Sequence, residues 1–366
     1  MTAGRHAAAL GLVAVILLAM ALSGCQRQST ANPAPSATLP QQVHMIDARV
    51  GWGHAKSLVL RTSDGGSTWF DVTPKEVRGA FIAGADYLDA DHGWLAVAGG
   101  AKPLTVYRTA DGGKSWARTP TNFTSLGVQV QFIDVKRGWI MVHQGVAAGS
   151  EAVTLLGTDD GGATWTIVNE GTPKNTAPGR LPFGGGKTGF GFSDDKHGWV
   201  TGYQPVEGRA YLFVTSDGGA TWRATDLPLP RDHARSWLST LPPSFFSATE
   251  GLLPVTFGEP GQPTAFYATH DGGKTWEAGA PVISPGNNSF SWSFADMKHG
   301  FATDGGHLYA TADGGATWAE VSTNQSFAEA GRLQFVSDQT GWAAGDNVLL
   351  KTTDGGKTWT PVKPGQ

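Results

Sequence analysis

The eight-residue phrase Thr-x-Asp-Gly-Gly-x-Thr/Ser-Trp is written seven times in this chain, starting at Thr62, Thr109, Thr158, Thr215, Thr269, Thr311 and Thr352. Its aspartates, Asp64, Asp111, Asp160, Asp217, Asp271, Asp313 and Asp354, recur every 41 to 57 residues. That spacing marks one repeat architecture and not a mosaic of domains. A second phrase, aromatic-x-Asp-x-x-His/Arg-Gly-Trp, runs ahead of each box. Its seven copies are Ile46 to Trp52, Tyr87 to Trp94, Phe132 to Trp139, Phe192 to Trp199, Phe246 to Leu252, Phe294 to Phe301 and Phe335 to Trp342. Each unit thus predicts a short apolar strand (A), a turn closed by glycine, a strand opening with Trp (B), a loop, a strand entering the box (C) and one leaving it (D). Four strands per unit make a propeller blade, so the expected fold is all-β: a seven-bladed β-propeller of four-stranded antiparallel blades.

Composition fits. A single core stops growing at roughly 250 to 300 residues, whereas a propeller of 366 residues divides its apolar interior among blades. Of the 14 Trp residues, seven close boxes and five follow a turn glycine; only Trp237 and Trp292 fall outside the repeat. Trp292, on strand A, is expected in the core.

The start of the chain differs. Arg5, an apolar run from Ala7 to Leu22, and Leu22-Ser23-Gly24 before the only cysteine, Cys25, predict a secretion signal over 1–24, too short for a membrane span. The Leu-Ser-Gly-Cys ending resembles the bacterial lipoprotein signal, which implies lipidation of Cys25; the alternative is an ordinary cleaved signal with a spare cysteine. Several acyl chains would give stable membrane attachment. Residues 25–41, rich in Pro, Ser and Ala, then form a flexible tether, and 42–366 the propeller. The expected location is the extracytoplasmic side of the cell membrane. Removal of 1–24 takes away one of the 27 basic residues and none of the 31 acidic ones, moving the formal net charge from −4 to −5. That balance argues against nucleic acid as a partner.

Asp followed by Gly-Gly is a turn instruction, because the carboxylate accepts nearby amides and glycine takes positive φ freely. Seven such aspartates on seven blades do not converge, and a hard-cation site needs six to eight converging oxygens. No metal or cofactor is expected, and no catalytic residue. His92, His197 and His299 precede turn glycines with no acid or nucleophile recurring beside them.

The box is identified as the Asp-box, or BNR, repeat. It resembles sialidases, certain endoglucanases, sortilin-like receptors and the lumenal photosystem II stability and assembly factor family, a single seven-bladed propeller. Resemblance to the last covers about Val43 to Val362, rests on all seven boxes with the Gly-Trp phrases, and includes export. It implies a protein that binds precursor subunits of a membrane complex and is not an enzyme. The sialidase Arg-Ile-Pro phrase is missing; Arg180-Leu181-Pro182 lies mid-chain. The endoglucanase relatives set two propellers across a cleft.

Function is expected where the copies differ. A–B and C–D turns emerge on one face of the disc, D–A and B–C loops on the other. From turn glycine to box aspartate the distance is 13 residues in units one, six and seven, but 18, 22, 19 and 20 in units two to five. Box Trp to next turn glycine is longest after the third and fourth boxes, at 33 and 29. Both insertions converge on blades three to five, which carry Lys174, Arg180, Lys187, Arg209, Arg231, Asp232, His233, Arg235 and Trp237, with Tyr203 nearby. Arg180, Arg209, Arg231, His233, Arg235 and Trp237 are the candidate partner-binding set, since Arg and Trp dominate interface hot spots. The alternative is solvated loop decoration, with Trp237 folded onto its own insertion. The leading expectation is a lipid-anchored, monomeric scaffold for a membrane-associated protein partner. The alternative is a glycan-binding or glycan-cleaving propeller.

Overall fold

The computed structural model describes residues 35–99, 102–147, 149–258, 263–280 and 291–363. The signal segment, Cys25 and the first part of the tether lie outside the described residues.

The strands form seven consecutive antiparallel units. In blade one, strand A (Gln42–Met45) pairs with B (Gly51–Ala55), B with C (Leu58–Thr62) and C with D (Phe70–Asp71). Blades two, three, six and seven repeat that order, beginning at strands Ile82–Tyr87, Gly127–Phe132, Ser291–Phe294 and Arg332–Phe335. Blades four and five depart from it by fusing into one eight-stranded sheet. Strand A of blade five is broken into Leu238–Thr240 and Ser244–Phe245 by Pro242 and Pro243, which have no amide to give the ladder. Its first piece meets blade four where Ser239 pairs with Tyr203. The outermost strand of blade five shrinks to a single bridge, Ala268 to Glu277.

Ring closure uses no exchanged strand, because blade seven is built from Arg332–Phe335 through Thr360–Pro361 alone. Strand A of blade one lies against strands A and B of blade seven. The seam is sewn by Gln334, whose amide accepts from Met45 N (2.6 Å) and donates to Met45 O (3.0 Å). The same device recurs between other A strands. Gln131 grips both backbone atoms of Phe192, Asp86 accepts from Phe132 N (2.6 Å), and Ser293 accepts from Phe335 N (2.8 Å).

At five of the seven junctions, the residue after the turn glycine lies flat on an aromatic ring of the next A strand. Trp52 stacks on Tyr87 (4.6 Å between centroids), Trp94 on Phe132 (3.6 Å), Trp139 on Phe192 (3.8 Å), Trp199 on Phe245 (4.7 Å) and Phe301 on Phe335 (3.6 Å). The ladder places Met45 and Phe245, rather than Ile46 and Phe246, opposite the turn glycines of units one and five. The stacking position is therefore one residue earlier there than the phrase suggests.

All seven boxes share one hydrogen-bond pattern. The leading Thr hydroxyl donates to the aspartate (2.8–2.9 Å) and accepts the second glycine's amide (2.8–3.0 Å). The aspartate also accepts the amide (2.8–3.0 Å) and hydroxyl (2.5–2.6 Å) of the Thr or Ser four residues on. Those hydroxyl and amide bonds hold Asp271 and Asp354 at about 2. At three junctions the box also serves the neighbouring blade. Trp94, Trp139 and Trp342 donate their indole N–H to the first box glycine of the next blade, Gly161, Gly218 and Gly65. The second glycine has no room for a side chain: a Cβ on Gly273, at φ +78°, would fall 2.2 Å from the Trp199 ring.

Part of the segment assigned to the tether is docked. Pro35 bridges Phe70, Ser36 N donates to Trp69 O (2.6 Å), and Leu39 is buried in the core shared by blades one and seven. Leu39 is the apolar residue that a purely compositional view of 25–41 passes over.

Removing one stacking ring should cost the ring as a whole. Trp94→Ala is expected to lower unfolding free energy by about 3–5 kcal/mol, while Trp237→Ala, half exposed, should change it by less than about 1 kcal/mol. Urea denaturation of both variants checks this, and equal losses would contradict it.

Candidate functional site

The two faces of the disc are built differently. On the A–B and C–D face, turns are short and closed by their own side chains. Asp89, Asp194 and Asp296 each accept the amide and imidazole of the histidine three residues on, His92, His197 and His299. These histidines are therefore occupied within their turns.

The D–A and B–C face is uneven. Strands B and C hold five residues each in blades one and seven and four each in blade six, ending in tight hairpins. In blade two they hold eight and nine (His92–Gly99, Lys102–Ala110), and in blade three ten and nine (Gly138–Ala147, Ser150–Thr158). Four extra residues at about 3.3 Å each lift these hairpins ~13 Å above the low sector. Of the eight exposed large apolar side chains among the described residues, six stand on this face: Phe81, Leu126, Val146, Tyr203, Val206 and Trp237. All six belong to blades two to five, so the high sector carries an apolar arc.

The structure gathers five of the six residues proposed as a partner-binding set. Arg231 and His233 lie on a short 3-10 turn (Arg231–His233) after Pro230, followed by Arg235 and Trp237. The blade-four B–C turn that bears Arg209 packs on this segment through Gly208 N to Ser236 O (3.0 Å). His233 is turned inward, stacked on Phe257 (4.4 Å) and 3.2 Å from the Ser236 hydroxyl. Trp237 stays half exposed, while Arg209, Arg231 and Arg235 face solvent. Arg180 is not with them. Its loop runs down the seam toward the fourth box, where Gly179 O accepts from Trp222 N, and Leu181 is wholly buried.

Lys187 also leaves the surface set. Its ammonium donates to the carbonyls of Glu151, Phe183, Gly184 and Gly185 (2.8–3.2 Å), and burial lowers it to about 8 against the pull of Glu151. Glu151 in turn holds His143 Nδ1 (2.7 Å) and the Lys187 amide (2.6 Å). This trio locks blade three to blade four. Periodicity does not reveal it, because ladder shifts at His143/Gly145 and Lys187/Gly189 redirect the side chains. A glycine two residues after His143 and after Lys187, Gly145 and Gly189, is the only sequence mark of those bulges.

A hollow of about 660 Å³ opens at the axis where the low sector meets the wall. Strands A of blades seven, one and two line it, with Gln42, His44, His54, Lys56, Tyr87 and Arg332 presenting polar atoms. Tyr87 OH lies 2.7 Å from His54 Nε2. Desolvation, with the nearby His44 adding to it, lowers His54 to about 4, and desolvation raises Asp86, beneath Tyr87, to about 6 against two backbone hydrogen bonds. The insertion pattern points away from this hollow, because the hairpins that expose it are the shortest ones.

Fold and site define a seven-bladed propeller with one uniform face and one stepped face. The model of the family described as photosynthesis system II assembly factor YCF48 matches residues 180–318 and 283–365, just over half of the chain. The chain belongs to that family. Among solved structures, YCF48 bound to D1 peptide superposes with TM-score 0.56 at 17% identity, over 88% of this chain and 93% of that one. YCF48 from Cyanidioschyzon merolae gives 0.53 at 20%, over 87% and 97%. The GH74 xyloglucanase from Xanthomonas campestris gives 0.62 at 15%, over 91% of this chain and 55% of that one, so this chain spans about half of the enzyme. At these identities the likeness is one of fold. No curated protein sequence matches the chain.

The two groups beside the hollow act oppositely on stability. His54, at about 4 when folded against 6.5 unfolded, contributes stability that is lost as pH falls from 6.5 toward 4. Asp86, at about 6 when folded against 3.8, contributes stability that is lost as pH rises from 3.8 toward 6. His44, also lowered by burial, acts in the same sense as His54, so Asp86 offsets part of the rise with pH that the two histidines give the wild type between pH 4.5 and 6. Asp86→Asn removes one side of the balance, and its urea midpoint should climb with pH over that range, by roughly 1 kcal/mol in free energy. Parallel curves for the two proteins would contradict this.

Proposed function

We propose that this protein is a lipid-anchored, extracytoplasmic propeller scaffold that binds a protein partner on its stepped face, as an assembly or stability factor. The observation that carries it is the concentration of six exposed apolar side chains on one sector of one face, with Arg209, Arg231 and Arg235 beside Trp237. A rigid scaffold presenting aromatic anchors and arginines is the composition of an interface core. Membership of the assembly-factor family supports a binding role, and the D1 peptide held by the solved YCF48 supports a polypeptide as ligand. Export and anchoring through Cys25 rest on the Leu-Ser-Gly-Cys signal.

Glycoside cleavage takes two carboxyl groups roughly 5 to 10 Å apart. The axial hollow offers two cationic residues and no carboxyl group in its lining, which favours binding over hydrolysis.

Crosslinked pull-down from membranes tests the surface. Tyr203→Ser/Trp237→Ser and Arg231→Glu/Arg235→Glu should each lose about ten-fold or more of the recovered partner, as expected for hot-spot residues. Val135→Ser, on the opposite face, should recover it fully. Unchanged recovery with both double variants would remove the proposed surface, and release of reducing sugar from a β-glucan would replace it with the enzymatic alternative. Cys25→Ser should move the chain from the membrane fraction to the soluble one.

A further inference from the structure

We propose that the axial hollow of the low sector is a binding seat for a carboxylate, presented either by a polypeptide C-terminus or by an Asp or Glu side chain. The seat is independent of the apolar arc, lying on blades seven, one and two.

Charge makes the first case. Lys56 and Arg332 are the only charged residues in the lining, both are exposed, and neither has an ion-pair partner among the described residues. This occurs in a chain of formal net charge −4, where a cation pair without a carboxylate is against the average. Two acids adjoin lining residues without ion-pairing to either cation: Asp346 accepts from Gln41 Nε2, and Asp86, next to Tyr87, accepts from Phe132 N. The cations are thus left to an incoming anion.

Backbone geometry makes the second. Lys56 sits at φ +54°, one of two non-glycine residues with positive φ among the described residues. The other, Asn347 in the matching hairpin of blade seven, is a residue that tolerates this region; lysine pays about 1 kcal/mol for it. The turn is held nonetheless, by Gln41, whose side chain accepts from Lys56 N (2.9 Å) while donating to Asp346 across the closing seam. A strained lysine fixed at the rim of a hollow is positioned rather than free.

The third is the donor set. His44, exposed to the channel, and the amide of Gln42 stand between the two cations on the same strand, Gln42–Met45. A carboxylate takes two to four hydrogen bonds, and charge-assisted ones are the strongest. At 660 Å³ the hollow admits a few residues of extended chain and not a folded domain.

The test uses the full chain in detergent with three N-acetylated tetrapeptides of Gly and Ala. One ends in a free carboxylate, one in an amide, and one is amidated but carries a central Glu. Imidazole NMR signals of His44 and His54 report binding at constant ionic strength. Movement with the free-acid peptide alone assigns a C-terminus, and movement with the Glu peptide assigns a side chain; either result upholds the seat. Lys56→Gln and Arg332→Gln should each weaken the effective probe about ten-fold, the size of one charge-assisted hydrogen bond. Arg137→Gln, on the opposite face, should leave it unchanged. Equal movement with all three peptides, no movement with any, or full binding by both lining variants with unaltered melting would overturn the proposal. Because no partner protein is involved, its failure leaves the partner surface untouched.

Discussion

One contact recurs between successive blades and the rest of the molecule is arranged to protect it: a flat aromatic ring, on the strand that follows the turn glycine, laid on the first strand of the next blade. At 3.6 to 4.7 Å between centroids these pairs bury large apolar area between sheets that are otherwise joined by only a few side-chain hydrogen bonds. The stacked ring needs a floor beneath it, and the box of the next blade provides one. Its glycine pair lets backbone approach the indole closely, and under Trp94, Trp139 and Trp342 its carbonyl takes the indole N–H. The aspartate, bound by hydroxyl and amide on both oxygens, holds that turn in shape. A box is therefore hardware for the preceding blade as much as for its own.

Two junctions lack the aromatic pair. Between blades seven and one, Met45 replaces the ring beneath Trp342, and polar links compensate: Gln334 to both backbone atoms of Met45, Lys351 and Trp342 to Gly65 O, and Gln41 between Lys56 and Asp346. Between blades five and six, Leu252 stands in for Trp, and Phe266 fills the space with edge contacts to Trp292 and Phe294. Blade five is also the one with the broken A strand and the vestigial outer strand. Where the stacking rule weakens, so does the regularity of the blade.

Architecture was legible because each repeat writes the same local chemistry, and turn glycines and box residues act over fewer than ten positions. The uneven face was legible too, from the distance between Gly93 and Asp111 compared with that between Gly51 and Asp64. What escaped depends on register or on long-range pairing. The stacking residue in units one and five sits one place earlier than the phrase suggests, since only the ladder decides which residue opposes the glycine. Glu151 reads as an isolated loop acid until a bulge turns it toward His143 and Lys187. Arg180 groups with Arg231 by insertion length, yet its loop descends along the seam. The axial hollow has no signature at all, because it is lined by the beginnings of three strands that are 290 residues apart at the extremes, Gln42 and Arg332.

The division of labour between the faces follows from these constraints. A substitution in a box turn is felt by two blades, through the Asp cap of its own hairpin and the stacked indole of its neighbour, so that face is held to one geometry. B–C hairpins extend beyond the last inter-blade contact, and lengthening them from five residues a strand to nine or ten perturbs no stack. Variation therefore accumulates on one face without cost to the ring. It raises an apolar wall over blades two to five and leaves blades six, seven and one low enough to open the axis. A partner meeting this face encounters anchoring side chains on the wall and, in the low sector, Lys56 and Arg332, which have no ion pair among the described residues, two chemistries separated by a step of about 13 Å. A binding mode that uses both needs an extended segment, since a globular surface that touches the wall stands clear of the hollow.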